Sequence, residues 1–218
     1  MNNSPAIEFT FLSGLALLCM IFLVAWCLYR TSPFIRITSD IQQRCLGIAV
    51  ALLPLWLLKA GLHPGLEMHF LGLSVATLMV GWHLSLLVGV ANLILLGIWQ
   101  GSSPAQLTIE ALLGVALPIA VTMGVLTGYR RYLPQHFFIY IFVCGFFGAA
   151  LAMLGRHLAL GLFYLVDGQY RASAVTEDYL YLWPLLLFPE ALLNGMAVTL
   201  MATYRPQWLA SFKYKELN

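Results

Sequence analysis

The chain has 218 residues, of which 61% are hydrophobic and only 9% charged, against roughly a quarter charged in ordinary globular chains. That composition excludes a soluble domain, and the formal charge of +2 is too small to suggest a nucleic-acid partner. A spanning helix needs about 20 apolar residues, so the chain has room for six or seven with little left over.

Taken in order, Phe9 to Tyr29 is an uninterrupted apolar run and reads as a retained first span, because no basic segment precedes it. Arg30, Arg36 and Arg44 follow, with Ser32-Pro33 as a breaker. A second span is expected from about Cys45 to Leu58, kinked by Pro54. His63-Pro64-Gly65 reads as a turn. Glu67-Met68-His69 then opens a third span, to about Val80, with Glu67 in the first turn where it complements the helix dipole. Gly81-Trp82 is a tight connection, and His83 to Trp99 is the fourth span. Gly101-Ser102-Ser103-Pro104 is a turn before the fifth span, Leu107 to Tyr129, which Pro118 should bend. A sixth span runs from about Phe137 to Val166. A polar loop from Asp167 to Asp178 leads to the seventh, Tyr179 to Tyr204, broken at Pro184 and Pro189. The fold class is therefore all-α: one polytopic transmembrane domain over residues 1–218, with about seven helices.

The positive residues orient this chain. With the N-terminus outside and the C-terminus inside, Arg30, Arg36, Arg44, Arg130, Arg131, Arg205, Lys213 and Lys215 fall on the inner side. Lys59 and Arg171 fall outside, and Arg156 lies within a span, which accounts for all 11 Lys and Arg residues. Cytoplasmic segments favour Lys and Arg, so an inner-membrane, multi-pass placement follows. It puts His63, Glu67 and His69 on the outer side.

Two imidazoles and a carboxylate at the mouth of an apolar segment are costly unless they face water, a partner or a ligand. Neutral imidazole is the commonest transition-metal ligand, and Glu67 adds an oxygen, so His69, His63 and Glu67 form the candidate metal set. The alternative is a group of interfacial polar residues that holds a loop. Arg156 and Glu190 sit at matched depths, roughly 15–17 Å into a core about 30 Å thick, and an ion pair between them is expected, with His157 beside it. Asn92 and Asn194 are expected to donate between helices. The stripe Gly145, Gly148, Ala152, Gly155 and Ala159 suits close packing. Trp26, Trp56, Trp99, Trp183 and Trp208 lie near span ends, as interfacial aromatics do. The cysteines Cys19, Cys27, Cys45 and Cys144 form no C-x-x-C pair and read as buried small hydrophobes, not ligands or disulfides. No G-x-S-x-G, H-E-x-x-H or phosphate-binding glycine loop is present, so no enzyme is expected, and pumping would need another chain.

His69-Phe-Leu-Gly72 followed by Gly81, with Phe188-Pro189-Glu190-Ala191-Leu192-Leu193-Asn194-Gly195 near the C-terminus, resembles the CbiM-type cobalt/nickel permeases. These are the substrate-capture membrane subunits of energy-coupling-factor ABC transporters. The likeness runs from about Leu52 to Met201. It implies a transition-metal ion as transported substrate, no permanently bound cofactor, and partners that include membrane lipid, a coupling transmembrane subunit and ATPase subunits. The family's metal site draws on an N-terminal amine, a histidine at position two and the motif histidine. Only the last carries over, as His69. Asn2 occupies position two, which leaves His63 as the substitute imidazole. A membrane scaffold or assembly protein with the same fold is the alternative function.

Overall fold

The structure, a computed structural model, describes residues 11–31, 39–59, 67–168 and 170–212. His63 and Asn2 lie outside the described residues. Helix α1 is Phe11–Thr31, α2 is Ser39–Leu57, α3 is Leu73–Val80 and α4 is Trp82–Gln100. Continuous helical runs follow as α5, Pro104–Tyr132, and α6, Phe137–Asp167. A short α7, Ala172–Asp178, precedes α8, Trp183–Tyr204. No strand occurs among the described residues.

Local sequence explains most boundaries. Ser103 caps α5, its Oγ accepting the N–H of Gln106 at 3.2 Å, and Pro104 takes the first position, where a missing donor costs nothing. Gly101 ends α4 with φ 70°, a left-handed turn that glycine adopts without steric penalty. Pro184 starts α8 and does not break it; Pro189 lies inside the helix. Just before Pro118, where a bend is expected, lies a π-helical stretch, Glu110–Ala116. Such wide turns recur at functional sites.

Among the described residues, five helical stretches are long and apolar enough to cross a membrane: Ser13–Thr31, Trp82–Gln100, Pro104–Tyr132, Phe137–Asp167 and Ala172–Tyr204. The chain is a membrane protein, and its outward faces fit one: Leu18, Phe22, Ile98, Trp99 and Phe188 are exposed. The third span corrects the sequence reading. It is not a continuous helix from Glu67: residues 67–72 are non-helical, and α3 contains only 8 residues. Glu67 therefore does not sit in a first helical turn.

This short helix is the centre of the molecule. It packs against α2, α4, α5, α6 and α8, and buries Leu73, Ser74, Ala76, Thr77 and Leu78. Its hydroxyls are satisfied locally: Ser74 Oγ lies 2.9 Å from Thr122 Oγ1, and Thr77 Oγ1 donates to the Leu73 carbonyl at 2.7 Å. Asn92 donates to the Ala49 carbonyl at 2.9 Å, joining α4 to α2 as an interhelical bond. The glycine stripe on α6 also packs as expected. A Cβ at Gly145 would meet Val198 at 3.2 Å, and one at Gly148 would meet Val125 at 3.4 Å.

Two smaller expectations need correction. Trp56 is not interfacial but a core residue, 3% exposed, whereas Trp26, Trp99, Trp183 and Trp208 are all exposed. Of the four cysteines, all free, Cys27 and Cys144 are buried while Cys19 is exposed.

A candidate metal pocket over a broken helix

The non-helical segment before α3 leaves backbone N–H groups without intrahelical partners, which is costly inside a protein. Side chains of α8 supply the acceptors. Glu190 Oε2 accepts the N–H of Leu71 at 2.8 Å, and Oε1 accepts that of Gly72 at 2.9 Å. One turn on, Asn194 Oδ1 accepts the N–H of Val75 at 2.9 Å. Asn194 also donates to Glu190 Oε1 at 2.7 Å, which holds the carboxylate in place. A carboxylate at a helix N-terminus complements the positive end of the dipole. On the other side, Trp56 Nε1 donates to the Leu71 carbonyl at 3.0 Å. Gly72 adopts φ 63°, and a Cβ there would meet Leu52 at 2.9 Å. The strap from His69 to Gly72 is therefore fixed from two faces.

It presents His69 to a small polar cavity of about 30 Å³, room for about one water, lined by Trp56, Lys59, Glu67, His69, Gln106 and Glu110 among others. The His69 ring lies 5.7 Å from the Trp56 ring. Its Nδ1 is 3.0 Å from the Phe70 carbonyl, and its Nε2 is 3.1 Å from Nη2 of Arg156. A guanidinium has no acceptor, so it must donate to Nε2. That fixes the tautomer: Nδ1 carries the proton and donates to Phe70, and Nε2 offers its lone pair. This is the neutral imidazole form that ligates metals.

The same Nη2 of Arg156 donates to Glu110 Oε2 at 3.0 Å. The ion pair expected between Arg156 and Glu190 is thus corrected: the paired carboxylate is Glu110. Glu190 spends its oxygens on Leu71, Gly72 and Asn194. Matched depth alone could not choose between two carboxylates; the backbone gap at α3 claims one of them. Arg156 has no exposed surface, while the Glu110 side chain is 15% exposed toward the cavity. Gly114, one turn after Glu110, makes the space, since a Cβ there would overlap the Glu110 carboxylate. His157 turns away, its Nε2 donating to the Tyr179 carbonyl at 2.8 Å with the two rings stacked at 4.0 Å.

At the mouth, Lys59 Nζ pairs with Glu67 Oε2 at 3.0 Å and donates to Gln100 Oε1 at 2.9 Å. Of the expected metal set, the structure brings His69 and Glu67 to one cavity, with Glu67 neutralised by Lys59; His63 lies outside the described residues. No group of three or more His, Cys, Asp or Glu residues close enough to hold a metal ion occurs among the described residues. Sequence reasoning missed Glu110. Its one signal was a carboxylate one turn into an apolar span, the same anomaly that singled out Glu190.

The family model described as the cobalt uptake substrate-specific transmembrane region, CbiM, matches residues 10–208. The chain belongs to this family. No curated protein and no solved structure matches it. Around the cavity over His69 the charges cancel: Lys59 pairs with Glu67, and Arg156 pairs with Glu110. The lone pair of His69 Nε2 is already engaged by the Arg156 guanidinium, so an ion bound there would have to displace that hydrogen bond.

Proposed function

We propose that this chain is the substrate-capture membrane subunit of an energy-coupling-factor ABC transporter, taking a divalent transition-metal ion such as cobalt or nickel from the outer side of an inner membrane. The observation that carries the reading is His69, held as a neutral imidazole at the floor of a polar cavity in a chain of the cobalt uptake family. Imidazole with carboxylate suits a borderline divalent ion better than calcium or magnesium. His63 and Glu67 are proposed as further ligands, Glu67 on release from Lys59. The family is a transporter component and not an enzyme class, so power would come from separate ATPase chains through a coupling transmembrane subunit.

The proposal includes one transmembrane domain, residues 1–218, with seven crossings, the N-terminus outside and the C-terminus inside. The third crossing is the broken one. Six non-helical residues rise up to about 20 Å and α3 adds about 12 Å, together matching a core about 30 Å thick. Lys59 bonds Gln100 at one end of this crossing, and at the other Met79 accepts from Ala210 at 3.1 Å. Arg44 and Arg130 gather at that second end on the Gln207 and Ser211 carbonyls, as a cytoplasmic surface would have it. A half-helix N-terminus near the midplane is a recurrent place for transporter sites.

Titration of cobalt, nickel and zinc into the purified chain tests the reading. Saturable binding lost in His69→Ala is expected. A reporter active only in the cytoplasm, fused after Asn218, should give signal; a silent, stably expressed fusion would overturn the orientation. The second reading, a membrane scaffold without cargo, draws on the occupancy of the His69 lone pair by Arg156. It requires that none of the three metals binds the chain whether or not that guanidinium is present.

A further inference from the structure

His69 Nε2 and Glu110 Oε2 face one another across a single atom, Nη2 of Arg156, which lies 3.1 Å from the first and 3.0 Å from the second. Both are Lewis-base atoms that bind borderline divalent ions, at about 2.0–2.2 Å. A charged nitrogen with two donated hydrogen bonds occupies the place between them. The rest of the guanidinium is not committed: Nε and Nη1 have no hydrogen-bond partner, although the side chain is wholly buried. Tyr179 stacks at 4.0 Å on His157, the chain neighbour of Arg156, and Tyr164 lies eight residues further along the same helix; both are buried, and their hydroxyls also lack partners. Buried donors and acceptors left unpaired are uncommon, because each forfeits its bonds to water. Here two donors of one residue and two hydroxyl acceptors of its neighbours are left over together.

We propose that Arg156 is a built-in cationic plug: it holds the His69–Glu110 ligand pair closed when the site is empty, and gives way to the incoming metal ion by swinging its guanidinium to the hydroxyls of Tyr164 and Tyr179. This deepens the functional reading above and rests on it. The exchange is cation for cation. The metal takes over the His69 lone pair and the Glu110 carboxylate, and Arg156 keeps its charge but trades an ionic acceptor for neutral ones. The loaded state thus keeps an arginine in a poorer place, ready to return. Return would push the ion back out, so the plug sets affinity low enough for cargo to be passed on. Glu110 becomes a ligand that no sequence motif marked.

The test compares cobalt binding to the purified full-length chain in detergent micelles, by calorimetry and by the visible absorption of bound cobalt. The variants are Arg156→Met, His69→Ala in the Arg156→Met background, and Tyr164→Phe with Tyr179→Phe. Arg156→Met should bind cobalt at least tenfold tighter than the parent, and loss of His69 in that background should abolish the gain. The paired tyrosine replacement should weaken binding at least threefold in the parent and leave Arg156→Met unchanged. Equal affinity of parent and Arg156→Met, both dependent on His69, would overturn the plug and leave the proposed function standing. Absence of binding in both would overturn the two together. Should Arg156→Met not fold, the tyrosine pair decides alone, and unchanged affinity in it overturns the plug.

Discussion

Glu190 Oε1 accepts the backbone N–H of Gly72 at 2.9 Å across 118 residues of sequence. The bond joins the two motifs by which the chain resembles its family, His69-Phe-Leu-Gly72 and the proline-to-glycine stretch of α8. It gives each a physical purpose. The first must leave helical geometry to turn His69 toward the cavity, and the second replaces the hydrogen bonds that this departure costs. An intramembrane carboxylate that looked like one half of an ion pair is instead a cap for a broken helix.

Replacing that cap should be felt both in stability and at His69. In Glu190→Gln one acceptor oxygen becomes an amide donor, and either Leu71 or Gly72 loses its partner. Bonds from a charged group contribute about 1.5–3 kcal/mol, so a loss in that range is expected on denaturant titration in mixed micelles. Asn194→Ala, which unpairs Val75, should cost less, near 1 kcal/mol by the same scale for a neutral bond. Cobalt affinity should fall with Glu190→Gln. A variant as stable as the parent would mean that the strap is held by packing alone.

The identity of the ion pair can be read by double-mutant cycles. Glu110→Ala strands a buried guanidinium and should destabilise by about 3–5 kcal/mol, whereas the double variant Glu110→Ala with Arg156→Met should recover much of that. The coupling between positions 110 and 156 is expected to exceed 1 kcal/mol, within the range for contacting residues, and to be larger than that between 156 and 190. The reverse order would restore Glu190 as the partner.

Two helical glycines on α5 offer a matched comparison. At Gly114 an added Cβ overlaps the Glu110 carboxylate; at Gly124 nothing lies within 4 Å. Gly124→Ala should therefore be neutral or stabilising by about 0.4–1 kcal/mol, through a less flexible unfolded chain. Gly114→Ala should displace Glu110 and change cobalt affinity, with a loss of stability beyond that of its control. Indistinguishable behaviour of the two would place Glu110 elsewhere than beside Arg156.

The sequence by itself determined the class of molecule. Apolar runs of spanning length, aromatic and cationic residues at their ends, and turn residues between them have local causes, and the structure has helices at those runs, with α2 beginning six residues before the expected start, at Ser39, and α3 six residues after it, at Leu73. His69 and Gly72 were legible for the same reason, as polar and flexible residues where hydrocarbon would favour neither. Tertiary structure alone decided the break before α3 and the charge partners. The segment Glu67 to Val80 carries a helical pattern throughout, and nothing local forbids a helix over its first six residues. They stay non-helical because Trp56 and Glu190, brought from elsewhere in the chain, satisfy the backbone of Leu71 and Gly72 better than a helix at that place would. The choice of Glu110 over Glu190 follows from that arrangement, since a carboxylate already engaged by two backbone N–H groups has little left to offer a guanidinium. Depth along a helix can be counted from sequence; which face meets which cannot.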